Sequence, residues 1–134
     1  MKKSNWGELK DRAKLGYDNA YAPYSQFKVG AALQVGNGSV YHGCNVENAS
    51  YGLTVCAERN AIAQAVIDGQ QDITALVVYT EQDKLTPPCG ACRQVIVEFM
   101  EQDATVKAVN HKGEEISWQV KDLLPNAFTP KDLK

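Results

Sequence analysis

The sequence has no long apolar run and no cluster of basic residues. No stretch approaches the ~20 apolar residues that a membrane-spanning helix requires. The 14 Lys and Arg residues are balanced by 16 Asp and Glu, which gives a formal net charge of −2, and the basic residues form no stripe. Because sequence-independent nucleic-acid binding depends on clustered Lys and Arg, neither a nucleic-acid partner nor a membrane is expected.

The sequence shows no recognisable targeting segment, and it has no internal repeat, low-complexity stretch or linker. The lysines at positions 2 and 3 have no apolar stretch behind them, so no secretory signal is predicted. The chain has 134 residues, of which 44% are hydrophobic and 22% charged. We therefore expect one globular domain over residues 1–134, in the cytoplasm, where thiols are kept reduced.

Cysteine is scarce, which makes the positions of the few that occur informative. The four cysteines are Cys44, Cys56, Cys89 and Cys92. In a secreted chain they would suggest two disulfides, whereas in a reducing compartment metal binding or redox chemistry is the better interpretation. The two histidines, His42 and His111, lie in strand and turn contexts away from these cysteines, so ligation by either is not expected.

Helical periodicity marks three segments and one short turn. Apolar residues recur at helical spacing from Trp6 to Tyr21, and a second helix is predicted from an N-cap at Thr54 to a stop at Gly69. Pro88 is placed in the first turn of a third helix. A short helical turn is expected to end at Pro125.

Strand patterns occupy the intervals between these helices. Two strands are predicted around the turn at residues 36–38, and two more around Lys112-Gly113. The near-continuous apolar run Ile73–Thr80 is typical of a buried central strand. Five strands with interleaved helices predict a layered α/β domain with a mixed sheet.

Three of the cysteines are predicted to lie at helix N-termini. Cys89 and Cys92 are three residues apart and share one face of a helix tip, while Cys56 lies in the first turn of another helix. The positive end of a helix favours thiolate, which is the form that binds zinc. Three protein ligands with one open position are typical of a catalytic zinc site.

Glu58 follows Cys56 by two residues, a spacing that puts the two Cα atoms on different sides of a helix. At a helix tip, however, side chains lean toward the N-terminus. Glu58 can therefore reach beyond the end of the helix, toward water on a metal that Cys56 holds.

Simpler interpretations of these residues remain open at this point. A C-x-x-C pair also occurs in dithiol oxidoreductases and in structural zinc sites, and a glutamate early in a helix can merely complement the helix dipole. A structural four-thiolate site would need Cys44, although its alternation with Val40 and Val46 favours a buried apolar role. A redox pair predicts two titratable thiols and no zinc, whereas the catalytic site predicts one zinc ion per chain.

The combination of C-x-E with P-C-x-x-C resembles the zinc-dependent nucleobase and nucleoside deaminases. The stretches YSQFKVGAAL, GCNVENASYGLTVCAERNAI, PCGACRQV and LLPNAF are similar to the small, homotetrameric branch of the cytidine deaminase family. The similarity runs from about Tyr21 to Phe128. It implies a three-layer α/β/α sandwich and zinc-dependent hydrolysis of cytidine and 2′-deoxycytidine to uridine and 2′-deoxyuridine. The reaction releases ammonia and belongs to pyrimidine salvage.

The resemblance also implies roles for individual residues. Cys56, Cys89 and Cys92 would hold one zinc ion per chain, and Glu58 would move the proton. The substrate-binding residues would be Phe27 on the pyrimidine ring, Asn45 and Glu47 on the ribose hydroxyls, Ala57 through its backbone, Tyr51, and Phe128 from an adjacent subunit of a homotetramer. Without the resemblance, Phe27 and Phe128 could be core aromatics, and Asn45 and Glu47 could belong to an ordinary polar loop.

Arg59 comes directly after Glu58. Three thiolates around a divalent ion leave an excess negative charge, which a guanidinium could offset by donating hydrogen bonds to ligand sulfurs. An exposed surface ion pair is the alternative for this arginine. A deaminase for a modified cytosine nucleoside is the alternative substrate class. A polynucleotide deaminase fits less well with the slightly acidic chain and the absence of histidine from the cysteine motifs.

Overall fold

A mixed five-stranded sheet forms the centre of the computed structural model, which describes residues 4–133. The strand order is β2-β1-β3-β4-β5; β3 and β4 run parallel, and the other neighbouring pairs are antiparallel. The strands are β1 (Gly30–Val35), β2 (Val40–Cys44), β3 (Ile73–Thr80), β4 (Met100–Asn110) and β5 (Glu115–Gln119). The predicted mixed sheet with a central strand at Ile73–Thr80 is confirmed.

Helices cover both faces of this sheet. They are α1 (Trp6–Asn19), α2 (Ala57–Ile67), α3 (Gly90–Phe99) and α4 (Val120–Leu123). On one face, Leu9 and Ala13 of α1 pack in a cluster with Val77 of the sheet. On the other face, α2, α3 and α4 share a second cluster with the opposite-facing strand residues. The expected three-layer α/β/α sandwich is therefore confirmed. No helix within residues 4–133 is long and apolar enough to cross a membrane.

The predicted N-cap of the second helix was wrong. The N-cap is Cys56 rather than Thr54, and α2 begins at Ala57. The displacement arises because Val55 is drawn into an antiparallel bridge with Val46, with backbone N–H···O distances of 2.9 and 3.0 Å. This bridge keeps the segment extended up to the first helical residue, which places the Cys56 thiol at the helix tip itself.

Two other helix boundaries also differ from the prediction. α1 ends at Asn19 instead of Tyr21, because Tyr21 forms a bridge with Val46. Pro88 precedes α3 instead of lying in its first turn, and Cys89 is the N-cap. The shifted start of α3 has the same consequence as the shifted start of α2, because each places a cysteine at the helix tip.

Helix α2 approaches strand β2 closely at Gly43. A Cβ atom added to this glycine would lie 2.5 Å from the Ala61 amide nitrogen and 2.9 Å from the Ala57 carbonyl oxygen. Only glycine allows the helix backbone to come this near the strand. Since Ala57 is the first residue of α2, this contact helps to fix the position of the helix tip that carries Cys56.

Gly43→Ala should lower the free energy of unfolding by about 1–3 kcal/mol, because the new methyl group overpacks a contact between two backbones. Thermal or denaturant unfolding measures the effect. Gly7→Ala is the matched control, since an added Cβ there has only the Asn5 side-chain oxygen at 3.8 Å, and alanine in a helix is neutral or stabilising. Equal stability of the two variants would contradict the close approach.

Candidate metal centre and active site

Three thiols meet where the N-termini of α2 and α3 converge. Cys56 and Cys89 are the N-cap residues of these helices, and Cys92 is the third residue of α3. The sulfur atoms of the three residues all lie within 4.8 Å of one another, and Cys56 Sγ is 3.8 Å from Cys89 Sγ. Soft thiolate donors at this spacing suit zinc, and three of them leave one coordination position for a reactant.

The electrostatics of this cluster favour ionised sulfur. Hydrogen bonding with Cys92 is the main cause that lowers the pKa of Cys56 to about 5, and Arg59 adds to the effect. The same interaction, together with burial, raises the pKa of Cys92. Cys56 therefore loses its proton before Cys92, and a bound cation would favour the ionised form of Cys92.

Arg59 contacts the cluster directly. Its Nη2 atom donates to Cys56 Sγ at 3.5 Å, and this interaction raises the pKa of the guanidinium. Its Nε atom is buried and has no hydrogen-bond partner within residues 4–133. Of the two interpretations of Arg59, the contact with a thiol is the one found in the structure.

Glu58 lies in the first turn of α2 and is only 4% exposed. Burial raises the pKa of its carboxyl group to about 7, with the ionised Cys56 acting in the same direction. A bound divalent cation would pull this pKa down again. A carboxyl group whose pKa lies near neutrality can both accept and release a proton at working pH.

The segment that carries Asn45 and Glu47 is joined to the segment before Cys56 by the bridge between Val46 and Val55. Both side chains are turned inward and are 8% and 9% exposed, whereas Val46 between them points outward. An ordinary solvent-facing polar loop would not bury an amide and a carboxylate in this way.

The aromatic residues expected in the substrate site are exposed. Phe27 is 37% exposed, and it lines a surface depression with Thr86 and Pro87, just ahead of Cys89. Tyr51 is 73% exposed and stacks edge-to-face on Tyr24, with ring centroids 6.3 Å apart.

Phe128 is 60% exposed, so its ring does not fold back into the core of its own chain. Neither Phe27 nor Phe128 is therefore a core aromatic.

Ala57 is fully buried at the start of α2, where the first backbone N–H groups of a helix lack intrahelical partners.

Sequence reasoning missed two residues that hold the surroundings of the site together. Arg93 donates through Nε to the Pro88 carbonyl at 2.8 Å and through Nη1 to the Leu123 carbonyl at 3.0 Å. Gln94 Nε2 donates to the Phe128 carbonyl at 2.8 Å. Both residues follow Cys92 in the motif PCGACRQV, but nothing in their spacing indicates which distant carbonyls they bind.

Cys44 does not join the thiol cluster. It ends β2, is half-buried, and its Sγ lies 3.8 Å from the Asn19 carbonyl oxygen. His42, on the same strand, accepts a hydrogen bond from Arg12 Nε through Nδ1 at 3.1 Å. The four-thiolate alternative finds no support in this arrangement, and His42 is engaged elsewhere.

An α/β/α sandwich with three thiols and a buried carboxyl group at two helix tips suits a zinc-dependent hydrolytic enzyme. Comparison with known families makes the class more specific. The sequence model of one protein family, the cytidine and deoxycytidylate deaminase zinc-binding region, matches residues 4–108 of this chain. The chain belongs to this family of zinc-binding deaminases.

Individual relatives agree with the family match. A cytidine deaminase from Halalkalibacterium halodurans is 48% identical over 116 residues, covering 87% of this chain and 88% of the relative. One from Sporosarcina psychrophila is 47% identical over 121 residues, with 90% and 89% covered. The solved structure of the Burkholderia pseudomallei cytidine deaminase has a TM-score of 0.88 and 45% identity, covering 94% of this chain and 100% of that chain.

Cys89→Ala or Cys92→Ala should reduce the zinc content from about one ion per chain to nearly none and should lower the thermal midpoint, because the metal joins two helix tips. Metal analysis and thermal unfolding measure the two effects. Cys44→Ala is the matched cysteine control and should retain its zinc. Loss of zinc from the Cys44 variant would revive the four-thiolate site.

Proposed function

We propose that this protein catalyses the zinc-dependent hydrolytic deamination of cytidine and 2′-deoxycytidine. The products are uridine or 2′-deoxyuridine and ammonia, and the reaction serves pyrimidine salvage. The observation that carries the proposal is the meeting of three thiols with the buried carboxyl group of Glu58 at the tips of α2 and α3. Relatives that are named cytidine deaminases, at 48% and 47% identity over most of the chain, support the choice of substrate.

Cys56, Cys89 and Cys92 would hold one zinc ion per chain. When bound, zinc supplies Lewis acidity and lowers the pKa of a coordinated water toward neutrality. The thiols supply the negative charge that retains the ion, and the two helix N-termini help to keep them ionised.

Glu58 would act as the proton shuttle. As a base, it takes a proton from the attacking water and delivers it to the ring nitrogen beside the amine-bearing carbon. The water oxygen bonds to that carbon, and its second proton then passes through Glu58 to the amine, so that the C–N bond breaks, the carbonyl forms and ammonia leaves. Its burial and its pKa near 7 in the absence of a metal support this double role, because one group must accept and donate within a single turnover.

Arg59 would moderate the negative charge of the thiolates. Its hydrogen bond to Cys56 Sγ withdraws electron density from a ligand, so the ion remains a stronger Lewis acid than it would be with three unassisted thiolates. The guanidinium stays charged throughout because its pKa is raised by that same contact.

The nucleoside would lie between the exposed aromatic rings and the buried polar pair. Phe27 would pack on the pyrimidine, Asn45 and Glu47 would hold the ribose hydroxyls, the Ala57 backbone would contact the base, and Tyr51 would border the pocket. Asn45 uses one amide hydrogen for the Phe27 carbonyl, so the other is available to a hydroxyl. The acidic Glu47 supplies the matching acceptor.

We further propose a cytoplasmic homotetramer in which each active site is completed by a neighbouring subunit. The large exposed apolar side chains, Tyr51, Leu53 and Phe128 among them, support an interface, since an assembly would remove their apolar surface from water. Phe128 would enter the adjacent pocket and cover the base, which excludes water from the reaction. A reducing compartment would keep the metal-binding thiols available.

Glu58→Gln should retain zinc and the fold but reduce kcat at least about 100-fold, because an amide of the same shape cannot accept the proton. An ultraviolet assay with cytidine, 2′-deoxycytidine, free cytosine and cytidine monophosphate measures activity and substrate class together. Turnover should be confined to the two nucleosides.

Metal analysis of the Glu58 variant is the necessary control, because loss of zinc would also abolish activity. Near-normal turnover with zinc retained would exclude the shuttle role. Failure of the wild-type protein on both nucleosides, with turnover of a modified cytosine nucleoside instead, would redirect the proposal to that alternative substrate.

Phe128→Ala should raise KM for cytidine by roughly 3- to 10-fold, because the base loses an aromatic partner as well as buried area. Mixing this variant with Glu58→Gln chains should restore activity, since some sites then combine Glu58 with a Phe128 donated by the other chain. The fraction restored is measured after subunit exchange. A fully active monomer at assay dilution would contradict the shared site.

A further inference from the structure

Both backbone groups of Phe27 are held by side chains from its surroundings. Its N–H donates to the Ser25 hydroxyl oxygen at 3.0 Å, and its carbonyl accepts from Asn45 Nδ2 at 2.9 Å. Asn45 Oδ1 also accepts from the Val29 N–H at 2.9 Å. The segment that carries Phe27 into β1 is therefore fixed by Asn45 on one side and by Ser25 on the other.

Ser25 is itself attached to Glu47. The Ser25 hydroxyl donates to Glu47 Oε2, while Oε1 of the same carboxylate accepts the backbone N–H groups of Tyr24 and Ser25 at 3.0 and 3.1 Å. These hydrogen bonds, that of the hydroxyl first, lower the pKa of Glu47, so the acceptor is charged at neutral pH. A continuous path of hydrogen bonds thus runs from the Glu47 carboxylate through one hydroxyl to the Phe27 N–H.

The residue between Ser25 and Phe27 adopts an unfavourable backbone conformation. Gln26 has φ +59°, in the left-handed region that residues with a Cβ rarely occupy. Such a conformation persists where surrounding contacts over-determine it. The contacts here are the Gln26 N–H to the Ala22 carbonyl, at 3.0 Å, and the Ser25 hydroxyl, which closes the turn across Gln26.

We propose that Ser25 is a positioning residue for the nucleoside. Its hydroxyl donates to the Glu47 carboxylate and accepts from the Phe27 N–H, so it holds the Phe27 backbone in place relative to Glu47. The groups assigned to the sugar and to the base then form one hydrogen-bonded unit. This inference rests on the proposed function, which assigns Phe27 to the pyrimidine and Glu47 to the ribose. Ser25 has no part in the proton transfers, so its loss weakens nucleoside binding and leaves the chemical step nearly unchanged.

Ser25→Thr and Ser25→Val form the decisive pair, because they match in shape and differ only in the hydroxyl. The exposed position of Ser25 leaves room for either side chain. The valine variant should show a KM for cytidine raised about tenfold with kcat within about twofold of wild type, as expected for one lost hydrogen bond to a charged group. The threonine variant should keep both constants within about twofold of wild type.

Combining this pair with Phe27→Ala tests whether Ser25 acts through the ring. In the Phe27→Ala background the threonine and valine variants should have the same kcat/KM, because no ring remains to be positioned. Ser117→Ala, on the exposed part of β5, is the serine control and should match wild type. Zinc content should be equal in all variants.

Three kinetic results would overturn the inference. One is equal KM values for the threonine and valine variants in the native background. The second is a tenfold difference that persists without the Phe27 ring, and the third is a difference that falls on kcat instead of KM.

The dissociation constant for uridine, measured by calorimetry, separates this inference from the proposed function. Absence of cytidine turnover in the wild type defeats the proposed function. A threonine–valine difference in uridine affinity would still support the role of Ser25, whereas equal affinities or no binding would exclude it.

Discussion

The rest of the structure depends on two helix N-termini meeting at one point. Three sulfur atoms can lie within 4.8 Å of one another only if the tips of α2 and α3 converge, and each tip is placed by a different part of the sheet. The α2 tip follows a backbone bridge at Val55 and the close contact at Gly43, whereas α3 lies in the crossover between the parallel strands β3 and β4. Two positive helix ends repel each other, and the negative charge of thiolates at the tips would offset that repulsion.

The same point concentrates charge that the protein must balance. Glu58 is almost fully buried beside the thiols, and burial raises the pKa of its carboxyl group to about 7. Arg59 brings a guanidinium against Cys56 from the next position in the sequence. A bound divalent cation would supply the remaining positive charge and would favour the ionised forms of Cys92 and Glu58. The order Cys56, Ala57, Glu58, Arg59 thus puts a thiol, a small residue, a buried carboxyl group and a positive charge within about one helical turn.

The sequence was most informative where local pattern and global fold agree. The strand Ile73–Thr80 matched residue for residue, because an unbroken apolar run of that length suits a central strand. The start of α2 and the end of α1 were misplaced because Val55 and Tyr21 pair with Val46, a tertiary contact that local propensity does not encode. For the same reason the roles of Ser25 and Arg93 were not visible: their partners lie 22 and 30 residues away. Motif similarity indicated the three cysteines and Glu58, which the structure brings together, because the chemistry of such sites constrains residue type as well as spacing.

The residues proposed to bind the nucleoside differ from those proposed to hold the metal and move the proton in how the fold supports them. The thiols and Glu58 are carried by helix tips, whereas Phe27 and Phe128 lie on irregular segments that have no helix or strand to hold them. Side-chain hydrogen bonds take over that function: Asn45 and Ser25 hold the Phe27 backbone, and Gln94 holds the Phe128 carbonyl. The anchoring residues are close to the cysteines along the backbone. Glu47 follows Val46, which is bridged to Val55 next to Cys56, and Gln94 follows Cys92 by two residues. Substrate recognition can therefore be altered on the loops while the metal site is preserved, provided that the anchoring side chains remain.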